Sequence, residues 1–186
     1  MTPRRRASPV NPAGYDLLVI GAGQAGPPLA VALARKGWQV AIAERKDLGG
    51  SCVNFGCTPT KAVIASARVA HLARRAGSFG IRVGSVEPDL AAVLARARGI
   101  VHQSRIGLRE SLASPPTLEV RTGHARFLGR ERTRFRVQVG DAVLTASKVV
   151  IDTGTRSRIP PVRGLDAIDF HTAENWLDRP RLPQRL

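Results

Sequence analysis

With 186 residues, 43% of them apolar, the chain can bury one core but is short for a protein that must site two cofactors and a substrate. A formal net charge of +15 invites a nucleic-acid partner, yet only four of the 29 basic residues are Lys, the arginines run from Arg4 to Arg185, and aromatic residues make up 4%. That scatter reads as solvated surface, and no run approaches the roughly 18–20 apolar residues of a membrane helix, so neither nucleic acid nor membrane is the expected partner.

The opening stretch, Met1–Gly14, carries Arg4, Arg5 and Arg6 among Pro, Ser and Asn, and is expected to be a disordered tail. No apolar segment follows that could serve as the core of an export signal, which makes the cytoplasm the expected location. There a close cysteine pair is more often catalytic or metal-binding than structural. Two cysteines cannot complete a four-ligand zinc site, and the nearest histidine, His71, is 14 residues past Cys57, so no resident metal is expected.

Tyr15–Ile20 (YDLLVI) is a nearly continuous apolar run ended by glycine, the pattern of a strand buried on both faces of a parallel sheet. Gln24–Lys36 follows as a helix, with Pro27 and Pro28 tolerable because they fall in the first turn and Gly37 as its stop. Gln39–Glu44 is the second strand of a β-α-β unit. Thr58 to about Ala76 predicts a helix capped by Thr58 with Pro59 at its first position, and Pro88–Leu112 a longer one, weakened by Gly99 and Gly107. Beyond Pro116 come short strands at 118–121, 125–128, 134–139, 142–146 and 148–152, read as a small antiparallel meander feeding a return strand.

Gly21-Ala22-Gly23-Gln24-Ala25-Gly26 is a G-x-G-x-x-G between a predicted strand and a predicted helix, the setting a dinucleotide fingerprint requires. Gly21 allows the tight turn, Gly23 the approach of a pyrophosphate, and Gly26 close packing of helix on strand, while the helix N-terminus presents N–H groups to the phosphates. Glu44, 23 residues after Gly21 at the end of the second strand, is placed to accept hydrogen bonds from ribose hydroxyls.

The second constellation is GGSCVNFGCTPTK, residues 49–61. Five residues of regular helix rise about 7.5 Å, beyond the roughly 4.4–6.8 Å Cα span of a disulfide, so a bridge between Cys52 and Cys57 needs a bend. Gly56 permits one, and a helix starting near Thr58 directs its N-terminal dipole at Cys57, with Lys61 one turn in. The plainer reading, two buried small hydrophobes, leaves the glycines and the lysine-bearing helix unexplained.

Together these motifs resemble the class I pyridine nucleotide-disulfide oxidoreductase family, which holds dihydrolipoamide dehydrogenase, glutathione reductase and mercuric reductase. Gly123-His124-Ala125 is similar to the family's G-x-A turn at the adenine, and residues 149–160 (VVIDTGTRSRIP) to its ATG segment. The wording of GAGQAGPPLA and TPTKAVIASARVAHLARRA is closest to the mercuric-reductase-like branch. The resemblance implies an α/β fold, a Rossmann-like FAD-binding domain with a parallel sheet and a small antiparallel β-meander, over residues 15–186.

It further implies electron transfer from NAD(P)H through FAD to a redox-active cysteine pair, and then to a small-molecule or metal-ion substrate. Cys57 would be the flavin-side sulfur and Cys52 the outer thiol. The FAD-binding residues so implied are Gly21, Gly23, Ala25, Gly26, Glu44, Gly50, Ser51, Lys61, Ala125, Thr153 and Gly154, with Lys61 near the reactive ring, where its charge stabilises anionic flavin.

Two residues depart from the family pattern: Ser51 stands where Thr is usual, and Asp152 replaces Ala, placing an acid on the pyrophosphate side. The chain is expected to be a truncated copy, its NAD(P)H-binding and C-terminal dimerisation domains absent, so that the family's homodimer interface is missing. His71, His102, His124 and His171 have no readable catalytic partner. The competing reading is a non-catalytic dinucleotide-binding module.

Overall fold

The computed structural model describes residues 14–178, so the expected tail up to residue 13 and residues 179–186 lie outside the described residues. Two compact units are present. The first takes the chain up to Leu48 together with Leu108–Thr153, and the second takes Gly49–Gly107 with the chain from Gly154 onward.

The first unit is a six-stranded sheet with β1 (Tyr15–Ile20), β2 (Val40–Glu44), β3 (Leu118–Thr122), β4 (Ala125–Glu131), β5 (Arg134–Val139) and β6 (Ala142–Ile151). Their order is β3-β2-β1-β6-β5-β4. The pairs β3–β2, β2–β1 and β1–β6 are parallel, and β6–β5 and β5–β4 antiparallel. This is the Rossmann-like sheet with an antiparallel extension that the sequence predicts.

β1 is central because only Asp16 interrupts its apolar run, so both faces can be covered. Leu18 and Ile20 pack on one face with Ala41, Val137, Leu144 and Ala146. Leu17 and Val19 pack on the other with Val40, Ile42 and Leu112, under Ala30, Val31 and Ala34 of helix α1 (Gly26–Ala34). Pro27 and Pro28 lie in the first turn of α1, and Gly37, at φ +88°, follows its end.

Two strand assignments differ from the sequence expectation. Residues 118–122 do not join the meander but pair with β2 in parallel, Val40 opposite Leu118 through Glu44 opposite Thr122. The strands expected at 142–146 and 148–152 are one strand, which trades partners at Ala146. That residue is opposite Phe135 of β5 and Tyr15 of β1, and β6 then runs beside β1 to Ile151. Ser147 reads as a break in a local pattern, yet an extended strand needs no break to change neighbours.

The second unit contains α2 (Gly50–Asn54), α3 (Cys57–Arg74) and most of α4 (Leu90–Ala113). α2 is absent from the sequence expectation. α3 begins one residue before Thr58, with Gly56 at its N-cap and no side-chain cap, so Thr58 and Pro59 lie inside the first turn rather than at the cap and first position. Ala62, Leu94, Ala97 and Leu177 form a small buried cluster, flanked by Val63, Leu90, Ile100 and Trp176. Among the described residues no helix is long and apolar enough to cross a membrane.

Candidate functional site

In the first unit the glycine turn leaves β1 between two ladders. The Gly21 N–H donates to the Ala43 carbonyl at 2.8 Å, and the Asp152 N–H donates to the Ile20 carbonyl at 2.7 Å. Gly21 has φ +102°, and a Cβ there would lie 2.1 Å from the Asp152 carbonyl oxygen, so no other residue fits. A Cβ on Gly26 would lie 2.9 Å from Val19 Cγ1, which is the close helix-on-strand approach expected of the last glycine.

Glu44, at the end of β2, accepts from the Ala22 N–H at 2.9 Å through Oε2 and from the Lys46 N–H at 2.8 Å through Oε1. Each oxygen keeps a lone pair for a hydroxyl donor. The Gly123 N–H donates to the Glu44 carbonyl at 2.8 Å, which sets the 123–125 turn beside the acid. Ala125 opens β4 opposite Val139. Ala25 is the N-cap of α1 and makes no side-chain cap bond. Thr153 follows Asp152 at the end of this unit.

Asp152 is the departure with a structural consequence. Its Oδ2 accepts from the Gly26 N–H at 2.9 Å, and a Cβ on Gly23 would lie 3.0 Å from the same oxygen. The carboxylate thus lies against Gly23 and Gly26, at the start of α1.

In the second unit the cysteine segment bends where α2 meets α3. The Phe55 and Gly56 N–H groups both fold back onto the Ser51 carbonyl, at 3.1 and 2.7 Å. A Cβ on Gly56 would lie 2.9 Å from that carbonyl oxygen and 3.4 Å from Cys52 Cα. The bend that a Cys52–Cys57 bridge needs is therefore made possible by the missing side chain of Gly56. Gly50, at φ +61°, opens α2. Its carbonyl accepts from Asn54 Nδ2 at 2.8 Å.

Cys52 and Cys57 are both free thiols, the first half-buried and the second exposed at the first turn of α3. The neighbouring Cys57 side chain, then burial, push the Cys52 thiol up from its ordinary value, while the Cys57 backbone N–H and the Lys61 ammonium pull the other way. Lys61 is close enough for its charge to be felt at Cys52. Gly154, at φ +65° with open space around it, begins the last stretch of this unit.

Two residues not expected from sequence hold the bend. Arg105 Nε on α4 donates to Asn54 Oδ1 at 2.5 Å, and Trp176 Nε1 donates to the Phe55 carbonyl at 3.0 Å. The only signal for Trp176 was its type: one of two tryptophans in the chain, set in a polar, Pro-punctuated segment, needs a partner for its N–H. All four histidines are exposed.

Gly21, Gly23 and Gly26, where an added Cβ would crowd Asp152 or Val19, and Glu44, already oriented at the end of β2, are residues of the first unit that would suit the adenosine diphosphate half of FAD, with the Asp152 carboxylate beside them.

The sequence model of the pyridine nucleotide-disulphide oxidoreductase family matches residues 15–185. A mercuric reductase of Lysinibacillus sphaericus is 30% identical over 95% of this chain and 32% of its own length. A dihydrolipoyl dehydrogenase of Chlorobaculum tepidum is 37% identical over 94% of this chain and 37% of its own length. Among solved structures, the HOCl-induced flavoprotein disulfide reductase RclA of Escherichia coli matches with a TM-score of 0.71 at 30% identity, covering 91% of this chain and 35% of that one. The same protein's Cu(II) complex matches with a TM-score of 0.70 at 28% identity, over 90% and 34%. The chain thus spans about a third of the length of the relatives it matches.

Proposed function

Because the chain belongs to the pyridine nucleotide-disulphide oxidoreductase family, we propose that it supplies the FAD cradle and the redox-active cysteine pair of an enzyme that passes electrons from NAD(P)H through FAD to Cys52 and Cys57. Bound FAD supplies the two-electron chemistry; the side chains hold it and manage protons. Gly21, Gly23, Ala25 and Gly26 receive the diphosphate, Glu44 the ribose hydroxyls, and Ala125 marks the adenine turn. Gly50, Ser51, Lys61, Thr153 and Gly154 complete the FAD-binding set.

The observation that carries this reading is the glycine-permitted bend at Gly56 between Cys52 on α2 and Cys57 at the start of α3, with Lys61 one turn further on. Two electrons and two protons convert its disulfide to the dithiol. Returning them to a substrate disulfide needs attack by Cys52 as thiolate, after which Cys57 displaces the bound half and closes the bridge. The substrate is a small disulfide or a thiol-seeking metal ion, in keeping with the disulfide reductase and mercuric reductase names of two relatives. A reducing cytoplasm suits such a pair.

The test is a dithionite titration of purified protein loaded with FAD. Wild type should take up twice the reducing equivalents of its flavin alone, and Cys52→Ser should lose the second half. An uptake unchanged by Cys52→Ser leaves a dinucleotide-binding module without thiol chemistry.

A further inference from the structure

We propose that Asp152 is a built-in anion plug of the glycine cradle, which a diphosphate must displace, so that this one carboxylate sets how tightly the chain keeps its dinucleotide. The proposal rests on the reading of the cradle as the FAD site.

The start of α1 is unusually poor in donors. Of the first four positions of the helix, Pro27 and Pro28 have no N–H, and the Leu29 N–H already bonds the Ala25 carbonyl at 3.4 Å. Gly26 holds the remaining one, and Asp152 Oδ2 takes it at 2.9 Å. In the preceding loop the Ala22 N–H is committed to Glu44. The N-cap residue Ala25 has no side chain able to cap, so the cap comes from 126 residues away in sequence.

An ordinary helix start has several N–H groups and can hold a carboxylate and a phosphate together. Here the two compete for the Gly26 N–H, the one donor that the first four helix positions leave. The carboxylate also lies within van der Waals reach of where Gly23 would carry a Cβ, the space the missing side chain leaves for an approaching phosphate. A diphosphate entering that space meets a like charge at close range, in partly buried surroundings where screening is weak. With the dinucleotide absent, the same carboxylate stabilises the helix start. Asp152 therefore acts with opposite sign on the two states.

Equilibrium binding of FAD, followed by quenching of its fluorescence, and thermal melting of the apo protein test this in wild type, Asp152→Asn and Asp152→Ala. Both variants should bind FAD about ten- to a hundred-fold more tightly. Both should also melt lower without FAD, by about 2–4 °C for Ala and less for Asn, whose amide oxygen still accepts from Gly26. Should Asp152→Ala fail to fold, Asp152→Asn carries the test alone. Wild-type binding that neither variant improves overturns the plug and leaves the FAD reading standing. Failure of all three proteins to bind FAD overturns both.

Discussion

In the sheet unit the glycine turn is held by backbone ladders on both sides, over side chains such as Leu18 and Ile42 that are wholly buried. In the cysteine unit α2 buries no residue and α3 buries only Pro59 and Ala62. Its bend is held by Trp176 and Arg105, while Arg96 and Arg98 tie α4 to the carbonyls of Ala62 and Leu177 at 2.9 and 2.7 Å. A ladder survives most side-chain changes, since its donors and acceptors belong to the backbone. A side-chain clamp can be removed one residue at a time, so the two units should fail differently.

The sharpest division comes from the sheet core. Ile42→Ala should cost about 2–5 kcal/mol in urea unfolding, because the cavity opens between strands that cannot collapse onto it. A cost below about 1 kcal/mol would break the comparison. Gly21→Ala ranks next at about 1–3 kcal/mol, since φ +102° and a Cβ 2.1 Å from the Asp152 oxygen force the ladder apart; FAD retention should be lost with it.

Removing a clamp should do less to stability and more to the thiols. Trp176→Phe keeps the ring but loses the donor to the Phe55 carbonyl, at about 1 kcal/mol. Alkylation of Cys52 and Cys57 should accelerate and their equilibrium with glutathione should shift, while amide exchange in β1 and β2 stays unchanged. Equal loss of protection in those strands would show that the units do not fail separately.

Cys57→Ala removes the largest cause of the raised Cys52 thiol, so the pH at which Cys52 becomes alkylated should fall. An unmoved profile would mean that Cys57 is not what raises the Cys52 thiol. The smallest effect is expected at Glu174, which accepts from the Ser157 N–H and hydroxyl at 2.9 and 2.6 Å. These bonds and one from Thr172 lower its carboxyl from the ordinary 4.5 to about 2. The folded pKa is depressed, so its stabilisation is present above pH 4.5 and fades as pH falls toward about 2. Glu174→Gln should flatten that slope in melting curves taken across the window, and an unchanged slope would remove Glu174 from the account.

The β-α-β turn was legible because its constraints are local. Gly21 must adopt a positive φ, Pro27 and Pro28 are tolerated only in a first turn, and the apolar run of β1 announces burial on both faces. The bend at Gly56 was legible for a similar reason, as five helical residues exceed the reach of a disulfide. Partner choice was not. Nothing in residues 118–122 distinguishes a parallel edge strand from a meander strand, and nothing at Ser147 tells that β6 continues across two neighbours. The cap of α3 was misplaced because Thr58 and Pro59 fit a local rule, whereas the N-cap is Gly56, two residues earlier and without a side-chain cap.

By itself, then, the sequence determined the class of sheet, the glycine turn, the acid at the end of β2 and the bend between the cysteines, because each follows from dihedral limits and spacing over a few residues. Only the tertiary structure decided that Asp152 caps α1, that Trp176 and Arg105 hold the bend, and which strands neighbour which. Those contacts join residues between 51 and 126 positions apart, and a hydrogen bond across such a distance leaves no periodicity or local propensity to read.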